Sequence, residues 1–222
     1  MRRPAVATFA GLALCLALPA ASPGTLAEVG VLPATTPPTL PSCPATPCLA
    51  VSRTTGFQVK VGAAHNFLAA RRTGRIVAWT ITLGNPNATQ VKFFNENEGG
   101  VAQAGIAVLR PVPKPNLTYK LVALSPPVAL QAYFGKTVQF PLETTLPVNK
   151  GDVVALSVPT WAPALALGFG RGEAAWRASR PRTQCNSTSA LSTQTQIGSP
   201  VQYFCLYQTA RLTYSATLIS TP

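Results

Sequence analysis

The chain has 222 residues and carries 18 Lys and Arg against 6 Asp and Glu, a formal net charge of +12, although charged residues make up only 11% of it. One histidine, His65, and one aspartate, Asp152, leave little material for acid–base catalysis. A surface that must lean on Thr, Ser, Gln and Asn suits an extracellular β-protein better than a cytosolic enzyme.

Residues Met1 to Ala21 read as a signal peptide. Arg2 and Arg3 form a positive start, Ala10 to Pro19 an apolar stretch, and Leu18-Pro19-Ala20 a small-residue cleavage pattern before Ala21. The apolar stretch is too short to span a bilayer, and no later run approaches that length. A lipid anchor at Cys15 is rejected because Leu14 precedes it and apolar sequence continues beyond it. The mature chain is therefore expected to be secreted, extracellular or cell-surface associated, with no transmembrane span. Without Arg2 and Arg3 the positive excess falls by two, to roughly +10, which favours anionic surfaces as partners.

Residues 22–49 are rich in Pro, Thr and Ala, with Pro33, Pro37, Pro38, Pro41, Pro44 and Pro47 spaced through them. Such a segment reads as a disordered, extended arm with no core of its own. Four cysteines remain after the leader, and an even number in an exported chain implies disulfides. Of the three pairings, local loop closure favours Cys43 with Cys48 and Cys185 with Cys205.

Residues 50–222 read as a single domain. Phe57, Val59 and Val61 alternate with Gln58 and Lys60, giving a first strand; Arg75 to Leu83 gives a second, ended by the turn residues Gly84-Asn85-Pro86-Asn87. Gln90 to Phe94 reads as a short strand, Gly105 to Val112 and Tyr119 to Leu124 as two more, and Lys136 to Phe140 as another. No stretch holds a helical period. The clearest element follows: Asn149, Lys150, Gly151 and Asp152 supply turn chemistry, and Val154, Leu156 and Val158 then fall on one face of a strand closed by Pro159. Ala164 to Phe169 reads as a buried strand, Gly170 to Gly198 as a long irregular region, and Gln202 to Gln208 as a strand. The last strand sets Leu212, Tyr214, Ala216 and Leu218 inward. Many short strands with regular turn signals predict an all-β, antiparallel double-sheet β-sandwich that is jelly-roll-like.

The pattern Leu-x-Val-x-x-Gly-Asp-x-Val-x-Leu, at Leu146, Val148, Gly151, Asp152, Val154 and Leu156, resembles the turn and strand of many jelly rolls, including the TNF and complement globular-head type. With its export signal and proline arm, the whole chain also resembles uncharacterised secreted β-sandwich proteins of actinobacteria. The resemblance implies a fold and no activity.

The chain lacks Gly-x-Ser-x-Gly, His-x-His and any Gly-rich phosphate loop. Carboxylate pairs would have to come from Glu96, Glu98, Glu143, Asp152 and Glu173; Asp152 is explained by its turn, and Glu96 and Glu98 read as a solvated loop. No catalytic residue, cofactor site or metal site is expected, and the chain reads as a non-enzyme. The matches to the Asn-x-Ser/Thr acceptor pattern at Asn87, Asn116 and Asn186 depend for their meaning on the host.

The candidate ligand-binding residues are Arg171, Trp176, Arg177, Arg180 and Arg182, a basic and aromatic loop. Guanidinium forks suit phosphate, carboxylate or sulfate, and an exposed indole offers a face to a sugar ring. Arg71, Arg72 and Arg75 form a second basic cluster. The expected partners are anionic polymers or glycans of a cell envelope, not nucleic acid. The rival expectation is a structural protein that forms homo-oligomers through its sandwich faces.

Overall fold

The computed structural model describes residues 24–32, 39–187 and 192–220; the leader read over residues 1–21 lies outside them. Among the described residues the elements are β1 (Leu26–Val29), β2 (Val51–Val61), β3 (Ala64–His65), β4 (Gly74–Thr82), α1 (Ala88–Asn97), β5 (Gln103–Val112), β6 (Thr118–Leu124), β7 (Val128–Ala129) and β8 (Thr137–Val148). They continue as β9 (Val153–Ala162), β10 (Leu165–Ala166), β11 (Ala174–Ala178), β12 (Pro200–Gln202), β13 (Cys205–Gln208), β14 (Arg211–Leu212) and β15 (Tyr214–Ser220).

Two antiparallel sheets make the sandwich expected from the sequence. The smaller has the order β1-β15-β4-β8, and the larger the order β12-β6-β5-β9-β2-β11-β13, with β3 added on β2 and β7 on β5. A small ribbon, β10-β14, stands apart from both. The chain crosses from the small sheet to the large one at the turn between β8 and β9. Gly151 sits there at φ +91°, which a side chain would strain. The Asp152 carboxylate accepts from the Asn149 amide at 2.8 Å, and the Asp152 amide donates to the Asn149 carbonyl at 3.0 Å. The turn sets the register of β9, so Val154, Leu156 and Val158 are buried toward the small sheet. From the small sheet, Tyr214 donates its hydroxyl to the Val154 carbonyl at 3.0 Å, a hydrogen bond across the core. Trp79 packs on Phe140 with ring centres 5.0 Å apart, and both belong to the same buried cluster as Ile106, Val108 and Leu218.

Several elements differ from the expectation. Gln90 to Phe94 lies in the helix α1, not in a strand. Asn87 and Gln90 close a reciprocal capping box, the Gln90 amide donating to Asn87 Oδ1 at 3.0 Å and the Asn87 amide to Gln90 Oε1 at 2.9 Å. Phe94 then stacks on Trp161, ring centres 4.7 Å apart. Part of the segment read as a disordered arm is structured too. β1 pairs with β15 from Leu26↔Ile219 to Val29↔Ala216, and the Ser42 amide donates to the Leu165 carbonyl at 3.0 Å. Both expected disulfides, Cys43–Cys48 and Cys185–Cys205, are present. The long region read as irregular contains β11, held between β2 and β13 in the large sheet.

Candidate functional site

The face of the large sheet turned away from the small one bears a cleft of about 510 Å³. Its floor follows from the register. Phe57, Arg177 and Leu206 are partners across β2, β11 and β13, so their side chains share one face. One row along, Lys60, Ala175 and Gln208 are partners, with His65 of β3 opposite Lys60. Lys60 lies an odd number of residues from Phe57 and would point inward in a regular strand. A bulge in the β2–β11 pairing, between Ala175 and Trp176, absorbs one residue and returns Lys60 to the outer face. Tyr119 of β6 closes one side, its ring edge-on to Phe57 at 5.1 Å and to Tyr203 at 5.2 Å.

The electrostatics of the cleft have one sign. Lys60, His65 and Arg177 line it, and no Asp or Glu does. Arg177 is half-buried; its Nη1 donates to the Tyr203 and Phe204 carbonyls at 3.2 and 3.0 Å. Its Nε and Nη2 meet no hydrogen-bond partner among the described residues. Burial lowers the guanidinium pKa, and nearby Tyr119 works against that; burial likewise raises the Tyr119 phenol. An arginine keeps its charge through such a shift, so Arg177 is a partly desolvated cation without a carboxylate partner. Three of the six carboxylates are paired with cations elsewhere: Glu98 with Arg53 at 3.1 Å, Glu96 with Lys92 at 3.9 Å and Asp152 with Arg110 at 2.8 Å. Glu96 lies on α1 and Glu98 caps its end, so the pair read as a solvated loop belongs to a helix and its terminus.

No family model, curated protein or solved structure matches this chain. The chemistry of the cleft rests on its own residues.

The five ligand-binding candidates do not converge. Trp176 is a correction: alternation along β11 sends it to the face opposite Arg177, where it is 6% exposed and stacked on Tyr207, ring centres 4.5 Å apart. It offers no face to a sugar. Arg180 is also buried, and its guanidinium is spent on the Ser187 carbonyl and, at 3.3 Å, on the Ser52 carbonyl. Arg182 is exposed and lies over the Phe204 ring, 4.5 Å from its centre. Arg171 is exposed and its Nε donates to Gln208 Oε1 at 3.3 Å, which places it at the rim of the cleft. Of the five, Arg177 alone lines it. Lys60, His65, Tyr119 and Gln208 also line it, and none of them is among the five candidates. No local signal marks them, because strand pairing and the bulge assemble the site.

Among the described residues, no three His, Cys, Asp or Glu side chains gather closely enough to hold a metal ion, and no helix is long and apolar enough to cross a membrane. The cleft can attract, orient and partly dehydrate an anion. The hydroxyl-bearing edge of Tyr119 and the amide of Gln208 add hydrogen-bonding capacity of the kind that sugars use.

Proposed function

We propose that this chain is an exported, non-catalytic β-sandwich that binds an anionic or carbohydrate surface of a cell envelope or its surroundings. The observation that carries the reading is the cleft on the outer sheet face, where Lys60, His65 and Arg177 stand over an aromatic wall with no carboxylate among the lining residues. Concavity favours a ligand with thickness, such as a sugar unit, over a flat surface. Lys60 and Arg177 favour one that carries carboxylate, sulfate or phosphate, and the excess of basic over acidic residues in the whole chain draws such a ligand in.

Binding of the purified protein to arrays of acidic and neutral glycans, read at low and at near-physiological ionic strength, tests it. The expected result is capture by acidic glycans that weakens as salt rises. Absence of binding at low salt, where attraction is strongest, sinks the reading.

A further inference from the structure

The segment that follows β3 borders the cleft through Leu68 and Ala69 and carries two further arginines. Residues 66–73 continue from β3, which pairs with β2, past the start of β9 to the start of β4. The Leu68 carbonyl accepts from the Val154 amide at 2.9 Å, Ala69 bridges Val153, and Ala70 exchanges hydrogen bonds with the β8–β9 turn, at 2.8 Å to the Asp152 carbonyl and 2.8 Å from the Gly151 amide. Lys150 of that turn donates its amide to Thr73 Oγ1 at 3.2 Å. This strap is therefore fixed in place by backbone bonds along its length.

A second hollow, of about 220 Å³, opens beside the strap and shares Ala69 with the cleft. Arg71 and Arg72 line it; both are exposed, and neither has a hydrogen bond or ion pair among the described residues. The acid in its lining is Glu28, which accepts from Thr217 Oγ1 at 2.7 Å. The exposed Lys150 belongs to the turn to which the strap is bonded. Two hollows of net positive lining thus meet at one residue, with His65 at one end of the strap and Arg71 and Arg72 at the other.

We infer that the two hollows form a continuous track for a linear acidic glycan, the cleft holding one acidic sugar and Arg71 and Arg72 holding a later acidic group of the same chain. The inference rests on the proposed function of the cleft and adds to it a ligand class: an extended polyanion of sugar units, not a single acidic sugar. A chain that engages both places gains affinity because the second contact is intramolecular. A membrane of anionic lipid presents the same charge, but its flat face cannot enter the cleft.

The test compares digalacturonate with a galacturonate chain of about ten units, by calorimetry at low salt, on the wild-type protein and on the Arg71→Ser/Arg72→Ser variant. Both side chains are exposed and unpartnered, and an unchanged Tm shows that the variant is folded. Expected are roughly tenfold or more tighter binding of the long chain to wild type, loss of that advantage in the variant, and unaltered binding of the dimer. Equal affinities for long and short chains, or an advantage that survives the double substitution, overturn the track. A dimer that fails to bind wild type overturns the reading of the cleft beneath it. Capture by phosphatidylglycerol vesicles with neither glycan bound overturns both in favour of a lipid surface.

Discussion

Arg110 meets Asp152 with both forks engaged, Nε to Oδ1 and Nη2 to Oδ2, each at 2.8 Å. The carboxylate is 2% exposed and the arginine side chain 44% exposed, so Arg110 lies over a buried acid that also accepts from the Asn149 amide. The hydrogen bond to Asp152 raises the Arg110 pKa, against the opposing pull of desolvation. Asp152→Ala is expected to lower the unfolding free energy by about 2–4 kcal/mol, since it orphans the Asn149 N–H and the turn. Arg110→Ala should cost only about 1–2 kcal/mol, because water already reaches the arginine and screens the pair. Urea unfolding of the two variants checks the order, and a larger loss for Arg110→Ala contradicts it.

Tyr203 and Tyr214 are expected to make the fold sensitive to alkali. Burial holds both phenols well above their ordinary value. The unfolded chain loses these protons near pH 10 while the native chain keeps them. Their contribution to stability is therefore complete below about pH 10 and is lost as pH rises from there through the folded-state values. Urea midpoints should fall steeply above about pH 10, and Tyr214→Phe should flatten that fall even if it costs about 1 kcal/mol at neutral pH through the lost bond to Val154. An unchanged alkaline slope in the variant refutes this account.

Trp176 and Lys60 separate packing from binding. Trp176→Ala removes a buried ring stacked on Tyr207 and is expected to cost about 3–5 kcal/mol. Trp176→Phe should cost under about 1.5 kcal/mol, because the indole N–H is buried without a partner among the described residues. Lys60→Gln should leave Tm within a degree or so of wild type and weaken capture by acidic glycans roughly two- to tenfold at low salt. Thermal melts and glycan binding on the same preparations read both effects. Lost binding with native stability in Trp176→Phe would return the site to the indole.

The two disulfides should differ in weight. Cys185–Cys205 closes a loop with a sequence separation of 20 and Cys43–Cys48 one of 5. Loop-closure entropy gives about 3 kcal/mol for the longer loop and about 2 kcal/mol for the shorter. Cys205 begins β13, which carries Leu206 and Gln208 into the cleft, and Tyr207 donates to the Cys185 carbonyl at 2.6 Å. Replacing Cys185 and Cys205 by Ser should thus lower both stability and glycan affinity. Replacing Cys43 and Cys48 should lower stability alone, as read by denaturation and binding assays side by side.

The parts of the fold legible in the sequence are those that local chemistry decides. Asn149 to Val158 states its turn and its alternation within ten residues, and β15 does the same. The helix at Asn87 was legible in principle, since Asn87 and Gln90 stand at capping-box spacing before Val91 and Phe94. The short apolar run resembled a strand instead. β11 was hidden for a different reason: Ala174 to Ala178 is brief, and its partners β2 and β13 lie far from it along the chain. The cleft was least legible of all, because the outward placement of Lys60 depends on a bulge in β2 that no pattern of two betrays.

The pairing of β1 with β15 ties together the two ends of the described fold: the Thr25 amide donates to Ser220 Oγ at 3.1 Å, and the Ser220 amide returns to the Thr25 carbonyl at 2.9 Å. A chain made from its N-terminus onward must carry β1 unpaired until β15 arrives. The small sheet is then the last part of the sandwich to close, and a premature stop before Tyr214 yields a product with an open edge at β4 instead of a shorter version of the same protein.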